Sequence, residues 1–332
     1  MAAGPSPTDA QRRRTVAVTG AGGFIGRALV ARLRAEGHRV LALSRSAAGP
    51  SPAADQRVPD YGDVERLAAD LAGAELVLHL AARAHQAGEE DRSHEALYRE
   101  ANVDTTLNVA RASRRAGAAR VVFVSSIGVN GNRTGAQPFR PGDLPRPVEA
   151  YAASKWAAEQ ALSAELAAGP TDFVIVRPPL VYGPGCPGNF ARLIHLVQKA
   201  PVVPLGGLHA PRSLIYVGNL VDALWTAAIH PAASRRTFLL SDGRDMSVAE
   251  VAATLAPALG RSRACVWNVP ETALKWIAAI SGRQAAYRKL ADPLQVDSRE
   301  FSAATGWRAP VDPHEGLRLT ARDALQSAQR LQ

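Results

Sequence analysis

Cysteine is nearly absent. The 332 residues contain two, Cys186 and Cys265, far apart and without a CxxC or Cys/His spacing, which excludes a disulfide framework and a zinc site. A reducing cytoplasm is therefore the expected compartment. No apolar stretch approaches the ~18 residues of a spanning helix, so stable membrane insertion is not expected. Residues Met1 to Arg14 are rich in Pro, Ala and Arg and lack an apolar h-region, so they read as a flexible tail rather than a signal peptide. Aromatics are sparse at 5%, and no block of one charge sign occurs despite a net charge of +9. The basic residues are dispersed, with Arg12-Arg13-Arg14 and a loose set at Arg283, Arg288 and Lys289, and are not interleaved with aromatics. This argues for a solvated basic surface and against a nucleic-acid partner, while leaving anionic lipid and phosphorylated metabolites as fitting ligands.

What is present is ordinary globular material, 47% apolar with 27 Gly and 23 Pro spread along a chain long enough for one large or two modest domains. Thr15 to Thr19, Arg39 to Leu43, Leu76 to Leu80, Val121 to Ser125 and Phe173 to Arg177 read as strands. Helical patterns lie between them at Phe24 to Glu36, Ser93 to Ala116 and Ala152 to Ala168, the first two stopped by Gly37 and Gly117. Apolar strands alternating with helices predict an α/β, Rossmann-type doubly wound parallel sheet with a smaller C-terminal substrate-binding domain. The division predicted is 15–182 for the dinucleotide-binding domain, with a return segment near 213–235, and 183–212 with 236–332 for the substrate domain.

Three glycines, Gly20, Gly23 and Gly26, sit between the first strand and the first helix. Gly20 permits a tight turn, Gly23 lets backbone approach a pyrophosphate, and Gly26 allows close helix packing. Phe24 and Ile25 open the helix, whose N-terminus attracts an anion. A dinucleotide site follows from that context. At the end of the second strand, where a carboxylate would bind the ribose 2′-hydroxyl, the chain has Ser44-Arg45. A hydroxyl followed by a guanidinium suits a 2′-phosphate, which favours NADP(H) over NAD(H).

Tyr151 and Lys155 are spaced i, i+4 on one helix face, and Ser126 stands at the carboxyl end of a strand. A phenol, an ammonium and a hydroxyl around one substrate oxygen form a proton-transfer set.

Together the TGxxGxxG start, Gly62-Asp63-Val64, Leu78-His79-Leu80-Ala81-Ala82, Asn102, Ser125-Ser126, YxxxK and Arg177-Pro178 resemble the extended short-chain dehydrogenase/reductase family over nearly the full chain. The resemblance implies that Asp63 contacts adenine and that Leu80, Ala81 and Ala82 line the cofactor, with Val64, Asn102, Tyr151, Lys155 and Pro178 also around it. It implies hydride transfer at the nicotinamide, with Ser126, Tyr151 and Lys155 in the proton chemistry. Asn189 and Arg212, in the context of Arg212-Ser213-Leu214-Ile215-Tyr216-Val217, look like the nucleotide-sugar branch, where they would bind the diphosphate of a UDP-sugar. Within that branch the chain resembles UDP-4-keto-6-deoxy-N-acetylhexosamine 4-reductases of surface polysaccharide biosynthesis and UDP-glucose 4-epimerase-like proteins. A 4-epimerase of a UDP-hexose and a non-enzymatic NADP-sensing regulator stay open. A homodimer through Ser93 to Ala116 and Ala152 to Ala168 is implied as well.

Three other features are discounted. His79 lies in an apolar strand and reads as a packed core histidine, Cys186 as an apolar filler, and Leu274 to Ile280 as a partly buried helix rather than a membrane contact.

Overall fold

Strands β1 (Thr15–Thr19), β2 (Arg39–Leu43), β3 (Gln56–Arg57), β4 (Leu76–His79), β5 (Arg120–Val124) and β6 (Asp172–Arg177) run parallel. The longer ones are apolar at nearly every position because both faces are covered. Alternation sends Val16, Val18, Val122 and Val174 into one core and Ala17, Val121, Phe123 and Ile175 into the other, as the two-residue side-chain period requires. The computed structural model describes residues 12–45, 55–83 and 95–330.

Among the described residues the central sheet has seven strands in the order β3-β2-β1-β4-β5-β6-β9, the last being Arg236–Leu239. From β1 the chain winds outward to β2 and β3, then returns to the other side for β4, so the topological switch lies at the carboxyl ends of β1 and β4. Ligand crevices of open α/β sheets open there.

Helix α1 (Phe24–Ala35) ends before Gly37, whose φ of +82° turns the chain into β2. The short α2 (Val64–Asp70) follows. The helix predicted from Ser93 begins outside the described residues; from α3 (Glu95–Tyr98) it passes through a π-helical stretch, Arg99–Asp104, into α4 (Thr105–Arg115). Helix α5 (Ala150–Leu166) starts two residues earlier than its sequence pattern suggests.

Three boundaries differ from the sequence reading. Of the predicted tail, residues 1–11 lie outside the described residues, but Arg12 and Arg14 are tied to Glu75 by ion pairs of 3.3 Å. After Arg177, Pro178-Pro179 end the central strand, and β7 (Leu180–Tyr182) pairs with β8 (Leu214–Tyr216) in a separate two-stranded sheet. The seventh strand of the central sheet, β9 (Arg236–Leu239), falls within the segment predicted to belong to the substrate domain; its parallel pairing with β6 moves that boundary.

The remaining helices are α6 (Gly188–Lys199), α7 (Val217–Ile229), α8 (Val248–Ala258), α9 (Glu271–Ile280), α10 (Gln284–Ala291), α11 (Arg299–Thr305) and α12 (Pro313–Arg330). Helix α7 packs Leu220, Leu224 and Trp225 into the core that holds Val16 and Val122. Helix α9 is more exposed than predicted: Ala278 alone in it is buried. No helix among the described residues is long and apolar enough to cross a membrane.

Candidate active site

The glycine-rich turn is built by exclusion of side chains. Gly20 adopts φ +67°, and a Cβ there would sit 2.8 Å from the Ala81 nitrogen, so the turn presses directly on the end of β4. A Cβ on Gly26 would collide with the Gly20 carbonyl oxygen, which is the close helix packing its spacing suggests. Gly22, passed over in the sequence reading, is crowded more softly: a Cβ there would lie 2.6 Å from Ser44 Oγ, a hydroxyl that can rotate away, whereas Gly20 and Gly26 meet backbone. Gly23 caps α1 with no side-chain hydrogen bond, leaving the first-turn N–H groups at Phe24 and Ile25 to an anion. Arg45 is exposed beside this turn. The Tyr61 phenol, also missed, lies beside Thr19 and Gly20, and burial pushes it up to about 12.

His79 is fully buried between two hydroxyls. Thr106 Oγ1 donates to the Asn102 carbonyl at 2.6 Å, so it accepts from His79 Nε2 at 3.0 Å. Nδ1 is then the acceptor for Thr19 Oγ1 at 2.7 Å. Burial, with the Lys155 charge nearby, lowers this imidazole to about 3, so it is a neutral core residue, as its apolar strand predicts. Asn102 spends its side chain on architecture: Oδ1 accepts from Arg83 N at 2.8 Å, and Nδ2 donates to Ser154 Oγ at 2.8 Å. It positions the chain after β4 against α5. Asp63 caps α2, its Oδ1 accepting from Glu65 N and Arg66 N at 3.0 Å each.

On α5, Tyr151 and Lys155 share a face as their spacing predicts. The Tyr98 ring stands edge-on to Tyr151 at 6.1 Å between centroids. Burial, reinforced by Tyr98, pushes the Tyr151 phenol up to about 12. Lys155 is 2% exposed, with Nζ 4.1 Å over the Phe123 ring and no hydrogen-bond acceptor among the described residues. Desolvation lowers it to about 7 against the opposing pull of Glu159. A buried ammonium with one side on a ring face is suited to a hydroxyl-bearing ligand, so Lys155 and the open turn together fit a dinucleotide.

Ser126 faces the site from the end of β5, its Oγ accepting from Gly128 N at 3.1 Å. A Cβ on Gly128 would lie 3.1 Å from the Ala152 Cβ, so this turn abuts α5 next to Tyr151. Neighbouring Ser125 points inward and donates to Glu159 Oε1 at 2.5 Å. Glu159 also accepts from Arg177 Nε at 2.9 Å and Nη2 at 2.6 Å, and Arg177 Nη1 donates to Asn130 Oδ1 at 2.9 Å. This buried fork clamps α5 to the ends of β5 and β6. The further i+4 step from Lys155 to Glu159 is a sequence signal that could have singled Glu159 out, but nothing in the sequence pairs it with Arg177.

A cleft of about 880 Å³ opens at Tyr151, lined also by Tyr98, Arg133, Lys275, Tyr287 and Arg288. Asn189 and Arg212 do not line it. Asn189 is exposed at the start of α6, and the Arg212 guanidinium donates to the Asp292 carbonyl, so it reaches the cleft only through that residue. Cys186 is buried beside a smaller cavity, and burial raises its thiol, consistent with an inert filler.

Residues 16–241 match the NAD dependent epimerase/dehydratase family. The UDP-glucose 4-epimerase of Vibrio cholerae is 34% identical over 327 residues, 97% of this chain and 99% of that protein. The N-acetyl-alpha-D-glucosaminyl-diphospho-ditrans,octacis-undecaprenol 4-epimerase of Escherichia coli O157:H7 is 28% identical over 249 residues, 74% of this chain and 72% of the relative. Among solved structures, MoeE5 in complex with UDP-glucose and NAD superposes with a TM-score of 0.75 at 27% identity, covering 95% of this chain and 99% of its own. With the glycine-rich turn, the YxxxK helix and the seven-stranded parallel sheet in place, the chain belongs to the NAD dependent epimerase/dehydratase family of enzymes.

Proposed function

We propose that the protein works at C4 of a UDP-linked hexose, and that its reaction is the NADPH-dependent reduction of a UDP-4-keto-6-deoxy-N-acetylhexosamine in the cytoplasm. The observation that carries the choice of reductase is the end of β2. There Ser44 backs Gly22 and Arg45 stands exposed beside the turn, in place of a carboxylate that would repel a 2′-phosphate. A cofactor drawn from the NADPH pool and exchanged each cycle suits a reductase, whereas an epimerase returns the hydride to the same sugar.

Gly20, Gly23, Phe24, Ile25 and Gly26 would hold the pyrophosphate. Leu80 to Ala82, Val64 and Pro178 would flank the cofactor, and Asp63, through the oxygen its helix cap leaves over, would take the adenine. The dinucleotide, when bound, supplies the hydride at nicotinamide C4. Ser126 Oγ and Tyr151 Oη converge on the keto oxygen, and Tyr151 releases its proton to the developing alkoxide. Lys155 offers its ammonium to the ribose hydroxyls and lowers the proton affinity of the phenolate left behind. Arg133, rather than Asn189 and Arg212, is the cleft cation suited to the diphosphate. Ile127 and Gly128 follow Ser126 where a dehydratase of this family carries an Asp-Glu pair, so elimination of water is outside this reading. Retention of the whole proton-transfer set also argues against a non-enzymatic sensor.

A second reading, a UDP-hexose 4-epimerase, is supported by the name of the Vibrio cholerae relative. The deciding experiment follows nicotinamide absorbance with a UDP-4-keto sugar and, separately, UDP-glucose. Net NADPH oxidation is expected, with a preference over NADH of roughly 10- to 150-fold, the worth of a charge-assisted contact. Arg45→Asp should reverse or abolish that preference. Tightly held NAD, equal affinity for both cofactors and interconversion of UDP-hexoses without NADPH consumption would select the epimerase.

A further inference from the structure

We propose that the α9–α10 hairpin docks the protein on the surface of an anionic lipid bilayer. Three large apolar side chains stand in the open on one side of α9: Trp276 is 70% exposed, Ile277 61% and Ile280 84%. Trp276 and Ile280 are one turn apart and Ile277 adjoins them, so they form a single stripe, while Ala278 on the other side faces the protein. Trp267, 57% exposed, lies on the segment leading into the helix. Large apolar groups clustered in this way mark an interaction surface, whereas scattered ones do not.

Charge selects the occupant. Residues 267–291 carry Lys275, Arg283, Arg288 and Lys289 against one carboxylate, Glu271, which already accepts from the Tyr287 hydroxyl at 3.0 Å. Lys289 is paired with Glu149 at 3.0 Å, but Lys275, Arg283 and Arg288 have no ion pair among the described residues. The whole chain is at +9. A short helix with Trp and Ile on one side and cations around it is the composition of a segment lying in the headgroup region, with the indole ring at the polar boundary. Glu271 and Lys275 on the adjoining side of α9, with Tyr287 and Arg288 of α10, line the cleft that leads to Tyr151. The docked orientation therefore sets the cleft mouth beside the membrane.

Pelleting of the full chain with vesicles of phosphatidylcholine and phosphatidylglycerol tests this. Binding is expected to require the anionic lipid and to weaken as salt is added. The double variant Trp276→Ser/Ile280→Ser, at positions that do not line the cleft, should bind about tenfold more weakly or less while keeping its far-ultraviolet circular dichroism. In the unaltered protein, tryptophan emission should shift to the blue with these vesicles and be quenched by brominated acyl chains, a readout independent of how any variant folds. Failure to pellet with anionic vesicles, equal pelleting by the double variant, or absence of quenching overturns the proposal. So does a concentration-dependent dimer that the double variant abolishes, which would give this surface to a second copy of the chain. None of these readouts uses turnover, so they stand apart from the sugar reading.

Discussion

Burial and the neighbouring Tyr98 hold Tyr151 at about 12, so in the free protein its hydroxyl keeps its proton across the neutral range. That is the form a reductase needs at the start of its cycle, since the phenol must give a proton as hydride arrives. Tyr151→Phe keeps the ring against Tyr98 and removes the hydroxyl. Turnover should fall roughly 100-fold or more, with cofactor affinity nearly unchanged by fluorescence titration. Near-normal turnover would remove Tyr151 from the chemistry. Its partner Lys155 was legible because phenol and ammonium at i, i+4 must share a helix face. The crowding at Gly22 was not, because the atom that approaches it, Ser44 Oγ, comes from beyond the end of β2, distant in sequence.

Helix α5 presents Tyr151, Lys155 and Glu159 on successive turns, each held by a different contact. Lys155 is lowered to about 7 by desolvation, below its ordinary 10.5. Between those values the unfolded chain binds more protons, so stability from this group rises with pH across that window, and burial of the charged form opposes folding below it. An acceptor brought to Nζ reverses the shift. Cofactor binding near about pH 8 should therefore take up a proton, seen as binding heats that differ between buffers of unlike ionisation enthalpy. Lys155→Met should abolish the difference; equal heats in the unaltered protein would refute the linkage. One turn on, Glu159→Gln leaves Arg177 buried without its counter-charge. About 3–5 kcal/mol of stability should be lost in urea unfolding, and a loss within error would mean that the fork is not holding α5. Helices α1 and α4 were readable because glycines with positive φ stop them. Of the C-terminal helices α9 was read, over Leu274 to Ile280, but the others were not, because their places are set by distant partners, such as Asn219 Nδ2 donating to the Val311 carbonyl at 2.8 Å.

At the scale of the molecule, the division into a cofactor domain and a substrate domain describes where ligands go better than how the chain coheres. One core runs without a break from Val16 and Val122 in the central sheet, through Leu220 and Leu224, to Leu255, Leu317 and Ala321 near the C-terminus. Across it, buried Asp242 accepts from the Tyr182 hydroxyl at 2.8 Å, from Asn219 Nδ2 at 2.7 Å and from Tyr216 N at 3.0 Å. The Tyr182 hydroxyl shares that one proton with the Pro313 carbonyl, 3.2 Å away. Residues on β7, β8, α7 and the entrance to α12 are thereby fastened to one carboxylate, which follows directly after the sheet's last strand, β9. Burial raises Asp242 while its donors oppose the rise. Each hydrogen bond to such a charged group is worth about 1.5–3 kcal/mol, and leaving the donors unpaired costs more. Parts joined in this way should unfold together. Calorimetry is expected to show one transition, moved as a whole by either NADPH or a UDP-sugar, because a ligand stabilises every part that unfolds with its site. Asp242→Ala should lower that transition and separate from it an earlier one belonging to the C-terminal helices. Two resolved transitions in the unaltered protein, each moved by only one ligand, would restore the division into independent domains and make the carboxylate a local contact.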